Sequence, residues 1–559
     1  MNTLDRPFTH FGRGALSKDR YFTATSFLSL GSGPLFLCRD NALRVQSSLT
    51  NQTPMPQNDL VLGLDVGTTN LKCLALDGTG NIVAQGSEPT PQSHPRPEWT
   101  DFEPEQIWRA ACGAIRTVVS QIENPAAIRG IAVSSLAESV VPIDSHGQTL
   151  APSIAWFDLR TTAEYNWIRD TIGYETLFKT TGLNPDPMFG LCKILWVKKH
   201  NPAAFKKAWH WLHLADYVAF RLCGVPATDP SLACRSLAYD LGRGDWSSEI
   251  LEAVGLPLSA FPPVCQSGTP LGRVKDSSAT ATNLPNTTVV SVGIHDHLSG
   301  AFAAGGLSPG VLFDSIGTSE SLNTVFPKPV FDQSIAAVGL AQGALWVDKP
   351  TCYLTGGLLT AGAAMEWFRR ELGGTSGITE LVGEAAGADQ AVPVFLPHLI
   401  RSLTPHPDTQ ASGAFIGIRS TTTRGAMFRA VLEGLAFEAR AIADAMGTVA
   451  GLPPFQKILT IGGSLQNSLL TQIKADVYSF PIQVNPVREA VSLGAALLAG
   501  IGCGLFSDPS AAVQVARREE IAVEPNAQDS KRLQARYLEV YRDLYGHLRT
   551  AHHRLHALS

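Results

Sequence analysis

Apolar positions along this chain gather in short runs, each cut by an acid, a glycine or a hydroxyl. LVLGLDV (60–66) is a continuous strand-like run, LKCLALD (71–77) alternates, and NIVAQG (81–86) follows the turn signal DGTG. That spacing predicts an antiparallel meander. PEQIWRAACGAIRTVVSQI (104–122) reads as a helix with Pro104 in its first turn, and RGIAVSS (129–135) returns to strand. The first part of the chain is therefore read as a mixed α/β domain.

Between the first two strands stand Asp65, Gly67, Thr68, Thr69 and Asn70. VLFDSIGTSESL (311–322) repeats the arrangement: strand, then Gly317, Thr318 and Ser319, then strand. The two turns superpose without a gap, and each opens a long α/β stretch. Two related domains facing each other across a cleft are expected. Glycine lets backbone approach a ligand, and neighbouring N–H groups and hydroxyls then point at one spot, so such a turn binds an anion without a lysine. One turn from each domain would grip a polyphosphate from both sides. For either copy alone, an ordinary hairpin with Gly for geometry and Thr for β-propensity is the alternative. The copies differ where Asp65 aligns with Ser315. A carboxylate repels a nearby phosphate unless a cation intervenes, so Asp65 is expected to hold Mg²⁺, directly or through water.

A second acid closes another strand-like run. NTTVVSVGI (286–294) leads to Asp296, where a small-residue helix begins. Phosphoryl transfer to a hydroxyl needs a base, and Asp296 is the candidate. A helix cap is its structural alternative, and the two roles are compatible. His295 and His297, read as strand residues, would share the face opposite Asp296 and form no joint metal site with it. Further on, ILTIGG (458–463) predicts a strand ending in Gly462 and Gly463, bare backbone for a flat base or ribose. NSLLTQIKADVY (467–478) predicts a helix that starts at Asn467, placed to bond adenine or ribose. A strand–turn–helix with glycines for close packing is the alternative. Neither glycine-containing segment forms a dinucleotide fingerprint.

Composition narrows the class. A net charge of -5 over 559 residues argues against a nucleic-acid partner, which needs clustered Lys and Arg. The nine cysteines show no C-x-x-C pair and read as reduced thiols of a cytoplasmic protein. No apolar run approaches the ~20 residues of a membrane span. Residues 1–58 lack periodicity and are read as a disordered extension or a misassigned start, with Met55 as a natural initiator.

Together these segments resemble the FGGY family of carbohydrate kinases, from about Leu60 onward and in family order. LGLDVGTTNLK and DSIGTSESL resemble its two phosphate motifs, and GIHDHLSGAFAAG the segment with its catalytic aspartate, hence Asp296. ILTIGGSLQN is similar to the adenosine segment, and IAWFDLR to a substrate-side W-x-D-x-R element. The 412–440 stretch, with Arg429-Ala430 and Glu433-Gly434, looks like the C-terminal signature. The resemblance implies an α/β fold of two ribonuclease-H-like, actin-like ATPase domains across a nucleotide- and sugar-binding cleft. Residues 59–306 would carry the sugar side, the first phosphate motif and the catalytic acid; residues 307–559 would carry the second phosphate motif and the adenosine site. It implies an ATP- and Mg²⁺-dependent kinase of a small sugar or polyol, pentulose- or hexulose-type and xylulokinase-like, with a homodimer as a candidate assembly. Glu138, Trp156, Asp158 and Asp296 would meet the substrate, with Met188, Phe189 and Lys193 bordering its pocket. Asp158 and Arg160 have a structural pairing as their alternative.

Two departures bear on substrate. Leu136-Ala137-Glu138 stands where glycerol kinases carry an Arg-Glu pair and xylulokinases a Met-His pair. Arg401-Ser402 stands where relatives show an acid–base pair before the C-terminal signature. A catalytically inactive sugar sensor and a nucleotide-driven switch of the same fold are the rival readings.

Overall fold

The computed structural model describes residues 58–388, 392–463, 467–487 and 489–558. The extension or alternative start expected over 1–58 lies, apart from Asn58, outside the described residues. The chain forms two compact units. The first runs to Ala303 and takes in Gly343–Thr351 and Glu489–Arg517; the second comprises Ala304–Gln342, Cys352–Arg488 and Arg518–Ser559. This differs from a single division at 306/307, and the physical reason lies in the first unit's sheet.

That sheet holds β1 (Leu60–Val66), β2 (Asn70–Asp77), β3 (Ile82–Pro89), β4 (Ile128–Ser135), β5 (Pro270–Arg273) and β6 (Val289–Ser291), in the order β5-β6-β4-β1-β2-β3. β1, β2 and β3 form the expected antiparallel meander. β4 joins β1 in parallel, β6 joins β4 in parallel, and β5 closes the edge antiparallel to β6. β1 is apolar up to Asp65 because both faces are covered. Leu62, Leu64 and Val66 enter a core with Ile107, Ala111 and Ile115 of the Pro104–Val119 helix. The opposite face needs the late helix Ala490–Cys503, which is why the chain returns to the first unit. At Gly63 the approach is so close that a Cβ would lie 1.8 Å from the Ser492 carbonyl oxygen.

The second unit repeats this plan. Its sheet holds β7 (Val311–Ile316), β8 (Glu320–Phe326), β9 (Ala341–Trp346), β10 (Pro350–Leu358), β11 (Lys457–Ile461), β12 (Ile482–Val484) and β13 (Ile521–Val523), in the order β9-β10-β8-β7-β11-β12-β13, with Gly343–Thr351 of β9 and β10 grouped in the first unit. β7, β8 and β10 are antiparallel neighbours, β11 runs parallel to β7, β12 parallel to β11, and β13 antiparallel to β12. The directions match those of β1, β2, β3, β4, β6 and β5 one for one. The short turn repeat is thus part of a repeat of whole sheets.

Three local features complete the picture. Asp408, in the loop that begins near Arg401-Ser402, is held by the helix Arg542–Leu558 through Tyr545, through His553 at 2.6 Å and through Arg549 at 3.8 Å. Seven described cysteines are free thiols. Among the described residues no helix is long and apolar enough to cross a membrane.

Gly63→Ala sets a methyl group against helix backbone rather than a yielding side chain. It should cost about 1–3 kcal/mol, or prevent folding of the first unit. Urea denaturation measures this, and an unchanged midpoint would show that the helix moves aside freely.

Candidate active site

In the first unit the β1–β2 ladder pairs Asp65 with Lys72 and Val66 with Leu71, leaving Gly67 to Asn70 as the loop. The Gly67 N–H donates to the Asn70 carbonyl at 3.2 Å, and the Thr90 hydroxyl donates to the Gly67 carbonyl at 2.7 Å. Thr69 and Asn70 are exposed. The Trp156 indole N–H donates to the Thr68 hydroxyl oxygen at 3.1 Å, so the tryptophan is tied to the turn itself. Sequence alone placed these two residues in separate motifs.

Asp65 and Asp296 come together in this unit. β6 ends at Ser291, earlier than expected, and Asp296 opens the helix Asp296–Ala303. Burial pushes the Asp65 carboxyl well above the usual range, and the Asp296 charge adds to the rise against the pull of Lys72. Its Oδ1 is buried without a hydrogen-bond partner. For Asp296, burial alone would raise the carboxyl, but the imidazoles of His297 and His295 and the His297 N–H outweigh it and hold it below the usual range. The backbone N–H of His297 donates to Asp296 Oδ1 at 2.6 Å.

The histidines correct the strand reading. His295 makes a parallel bridge to Ser135, but the helix begins at the next residue, so the two imidazoles do not share a strand face turned away from Asp296. His295 Nε2 lies 3.1 Å and His297 Nε2 3.9 Å from its Oδ1. The Asp296 carboxylate therefore sits between two imidazoles.

Asp158 also differs from the expectation of substrate contact. Its side chain is buried and fully engaged: Oδ2 accepts from the Thr100 N–H at 2.7 Å and the Arg160 Nε at 2.9 Å, and Oδ1 accepts from the Arg160 N–H at 2.9 Å. Arg160 reaches Asp101 at 3.0 Å and lies over the Trp99 ring. The W-x-D-x-R element thus presents Trp156, while its acid and base hold the loop in place.

Glu138 is buried, adopts φ 63, and takes an ion pair at 2.5 Å from Arg235 Nε. Positive φ at a non-glycine residue persists only where the surroundings over-determine it, and such residues gather at ligand sites. Arg235 was not singled out from sequence. It lies in the short turn Cys234–Ser236, far along the chain, with its guanidinium over the Phe189 ring at 5.0 Å. Lys193 is buried as well, its ammonium donating to the Met188 carbonyl.

In the second unit Ile316 faces Glu320 across Gly317, Thr318 and Ser319, the loop between β7 and β8. The Gly317 N–H donates to the Ser319 carbonyl at 2.8 Å. Asp65 and Ser315 occupy the same position, two residues before the turn glycine. β11 lies beside β7 and ends at Ile461, just before Gly462, whose φ of 127 and close approach to the Ile316 carbonyl exclude a side chain. A Cβ on Gly463 would meet open space. Asn467 caps the helix Ser468–Tyr478, its side-chain oxygen accepting from the Leu470 N–H at 3.2 Å. The cap occupies that oxygen; the side-chain amide nitrogen lies 4.0 Å from the Met365 sulfur.

Burial pushes the Lys193 ammonium down to about 8 from 10.5. A base with a depressed folded pKa binds fewer protons folded than unfolded between those values. Stability should therefore rise as pH goes from about 8 to 10.5, by roughly 3 kcal/mol at most. Lys193→Met should flatten that slope in denaturation measured across the window; an unaltered slope would place its origin elsewhere.

Comparison with known proteins agrees with this geometry. The N-terminal domain model of the FGGY family of carbohydrate kinases matches residues 60–303, and its C-terminal domain model matches residues 312–503. A glycerol kinase of Acaryochloris marina is 31% identical, covering 84% of this chain and 94% of its own length. A xylulose kinase of Bacillus subtilis is 29% identical, covering 87% and 97%. The crystal structure of a ligand-bound xylulose kinase from Lactobacillus acidophilus superposes with a TM-score of 0.82 at 23% identity, covering 89% and 100%. The chain belongs to the FGGY family of carbohydrate kinases: it is an ATP-dependent phosphotransferase acting on a hydroxyl of a small sugar or polyol, with the two-domain actin-like ATPase fold.

Proposed function

We propose that this kinase phosphorylates an uncharged sugar or polyol, of pentulose or hexulose type, with Asp296 as the base. The observation that carries the reading is the convergence of Asp65 and Asp296, far apart in sequence: Val66 pairs with Ser135 of β4, and Ser135 bridges His295. Asp296 takes the proton of the acceptor hydroxyl as its oxygen bonds to the γ-phosphorus; the bond from that phosphorus to the bridging oxygen breaks, and ADP leaves with the electron pair. The two flanking imidazoles keep the carboxylate ionised until then. Phosphates are assigned to the turns at Gly67, Thr68, Thr69 and Asn70 and at Gly317, Thr318 and Ser319, and adenosine to Gly462, Gly463 and Asn467.

Magnesium fits Asp65. Its Oδ1 is an unpartnered buried oxygen beside a second carboxylate, an arrangement a divalent cation would relieve. Among the described residues no three His, Cys, Asp or Glu side chains gather to hold a metal, so phosphate oxygens and water would complete its shell. Bound there, it would neutralise charge on the transferring phosphoryl group.

The substrate class follows from the cations nearby. Arg235 is paired with Glu138, and Lys193 is bonded to a backbone carbonyl and pushed toward neutrality. These two therefore suit hydroxyl recognition better than a substrate carboxylate, with Glu138 accepting from vicinal hydroxyls and Trp156 meeting a C–H face. ATP as the phosphoryl donor goes with a cytoplasmic location.

Asp296→Asn should lower sugar-dependent turnover by about 10²–10⁴-fold while ADP binding by calorimetry persists. Near-normal turnover would remove the base assignment. A coupled assay of ATP consumption over pentuloses, hexuloses, pentitols, tetritols, glycerol and aldonates should peak on an uncharged acceptor; an aldonate as best substrate would overturn the class.

A further inference from the structure

Behind the second phosphate turn lies a buried charged triad that the proposed reaction does not use. Lys474 Nζ lies 2.5 Å from Asp314 Oδ2 and 2.6 Å from Glu320 Oε1, and all three side chains are essentially inaccessible. Asp314 is on β7 and Glu320 begins β8, so the two acids flank the 317–319 turn. Lys474 stands seven residues after Asn467, two turns along the Ser468–Tyr478 helix and therefore on the face of its cap. Burial pushes the Glu320 carboxyl up to about 8 despite Lys474, and the Asp314 charge adds to the rise. The triad thus sets one ammonium between two carboxyl groups.

Stability alone does not account for this arrangement. Replacing a buried ion pair by apolar groups of similar volume is often neutral or stabilising, because desolvation offsets the attraction. What the triad supplies is position. Strand pairing fixes β7, β8 and β11 relative to one another, but no ladder fixes the height and rotation of the helix over them. One ammonium bonded to both strands of the hairpin does.

We propose that Lys474 is a positioning residue for the nucleotide: by holding Asp314 and Glu320 together, it joins the 317–319 turn and the helix capped by Asn467 into one rigid piece. The proposal rests on the reading that these two elements take the phosphates and the adenosine of ATP. A triphosphate bridging both would meet them at a fixed spacing, and a shift of about 1 Å in such a spacing costs up to about 10²-fold.

The test compares Lys474→Met with the neutral triple variant Lys474→Met, Asp314→Asn, Glu320→Gln, which leaves no uncompensated buried charge if the single variant fails to fold. In the folded variant, Kd for ADP by calorimetry and KM for ATP should rise about ten-fold, while KM for the sugar changes less than about two-fold. The triple variant should recover the thermal midpoint but not the nucleotide affinity, a split that a purely structural role would not give. An ADP affinity within two-fold of the unaltered protein, a parallel rise in sugar KM, or failure of both variants to fold would overturn the proposal. Loss of ADP binding only on disturbing Gly462 and Asn467, with Lys474 neutral, would overturn positioning and leave the nucleotide site standing. An unaltered protein that binds no ADP would overturn the underlying site reading as well.

Discussion

Two carboxylates buried near each other set the terms for the first unit. Asp65 and Asp296 cannot both carry a full charge in a desolvated region without help, because like charges there raise each other's proton affinity. The protein divides the problem unequally. Asp296 receives two imidazoles and a backbone N–H and stays ionised, whereas Asp65 keeps an unpartnered oxygen and is pushed toward protonation. That asymmetry is what the proposed division of labour, base and cation ligand, would draw on.

The repeated sheet explains how such different tasks arise from one plan. Each unit offers a glycine turn between the first two strands of a meander, with a parallel strand beside it. The residue two before the glycine is Asp65 in one unit and Ser315 in the other. In the second unit the charges lie one position further back and after the turn, at Asp314 and Glu320, and Lys474 neutralises them from a helix. The first unit therefore leaves an oxygen of its acid without a hydrogen-bond partner, and the second pairs its acids internally.

Specificity has a similar logic. A buried acid such as Glu138 costs several kcal/mol unless a base or hydrogen-bond donors compensate it. Arg235 compensates it here, and the pair is held against Phe189 on a residue with a left-handed backbone. Truncating either partner would leave the other uncompensated, so changes at this pair alter folding and recognition together. Trp156, by contrast, is held to the turn by a single hydrogen bond.

Legibility in the sequence followed the range of each interaction. Elements set by local periodicity and turn chemistry were readable: β1 to β3, the helix after Pro104, the two glycine turns, and the helix start at Asn467. The parallel partners of β1 and β7 were not, because parallel pairing depends on long crossovers rather than adjacent residues. Asp158 shows how a motif letter conceals direction, since its acid faces inward to Arg160 and Thr100 although the tryptophan two residues earlier faces the turn. His295 and His297 were misjudged because both were read on one strand, whereas the helix starts between them at Asp296 and brings both rings to its carboxylate. Arg235 and Lys474 carried no sequence signal of their own. Each is a cation whose acid lies many residues away, and only an argument about charge balance would have sought them: a buried acid with no local donor must have a distant one.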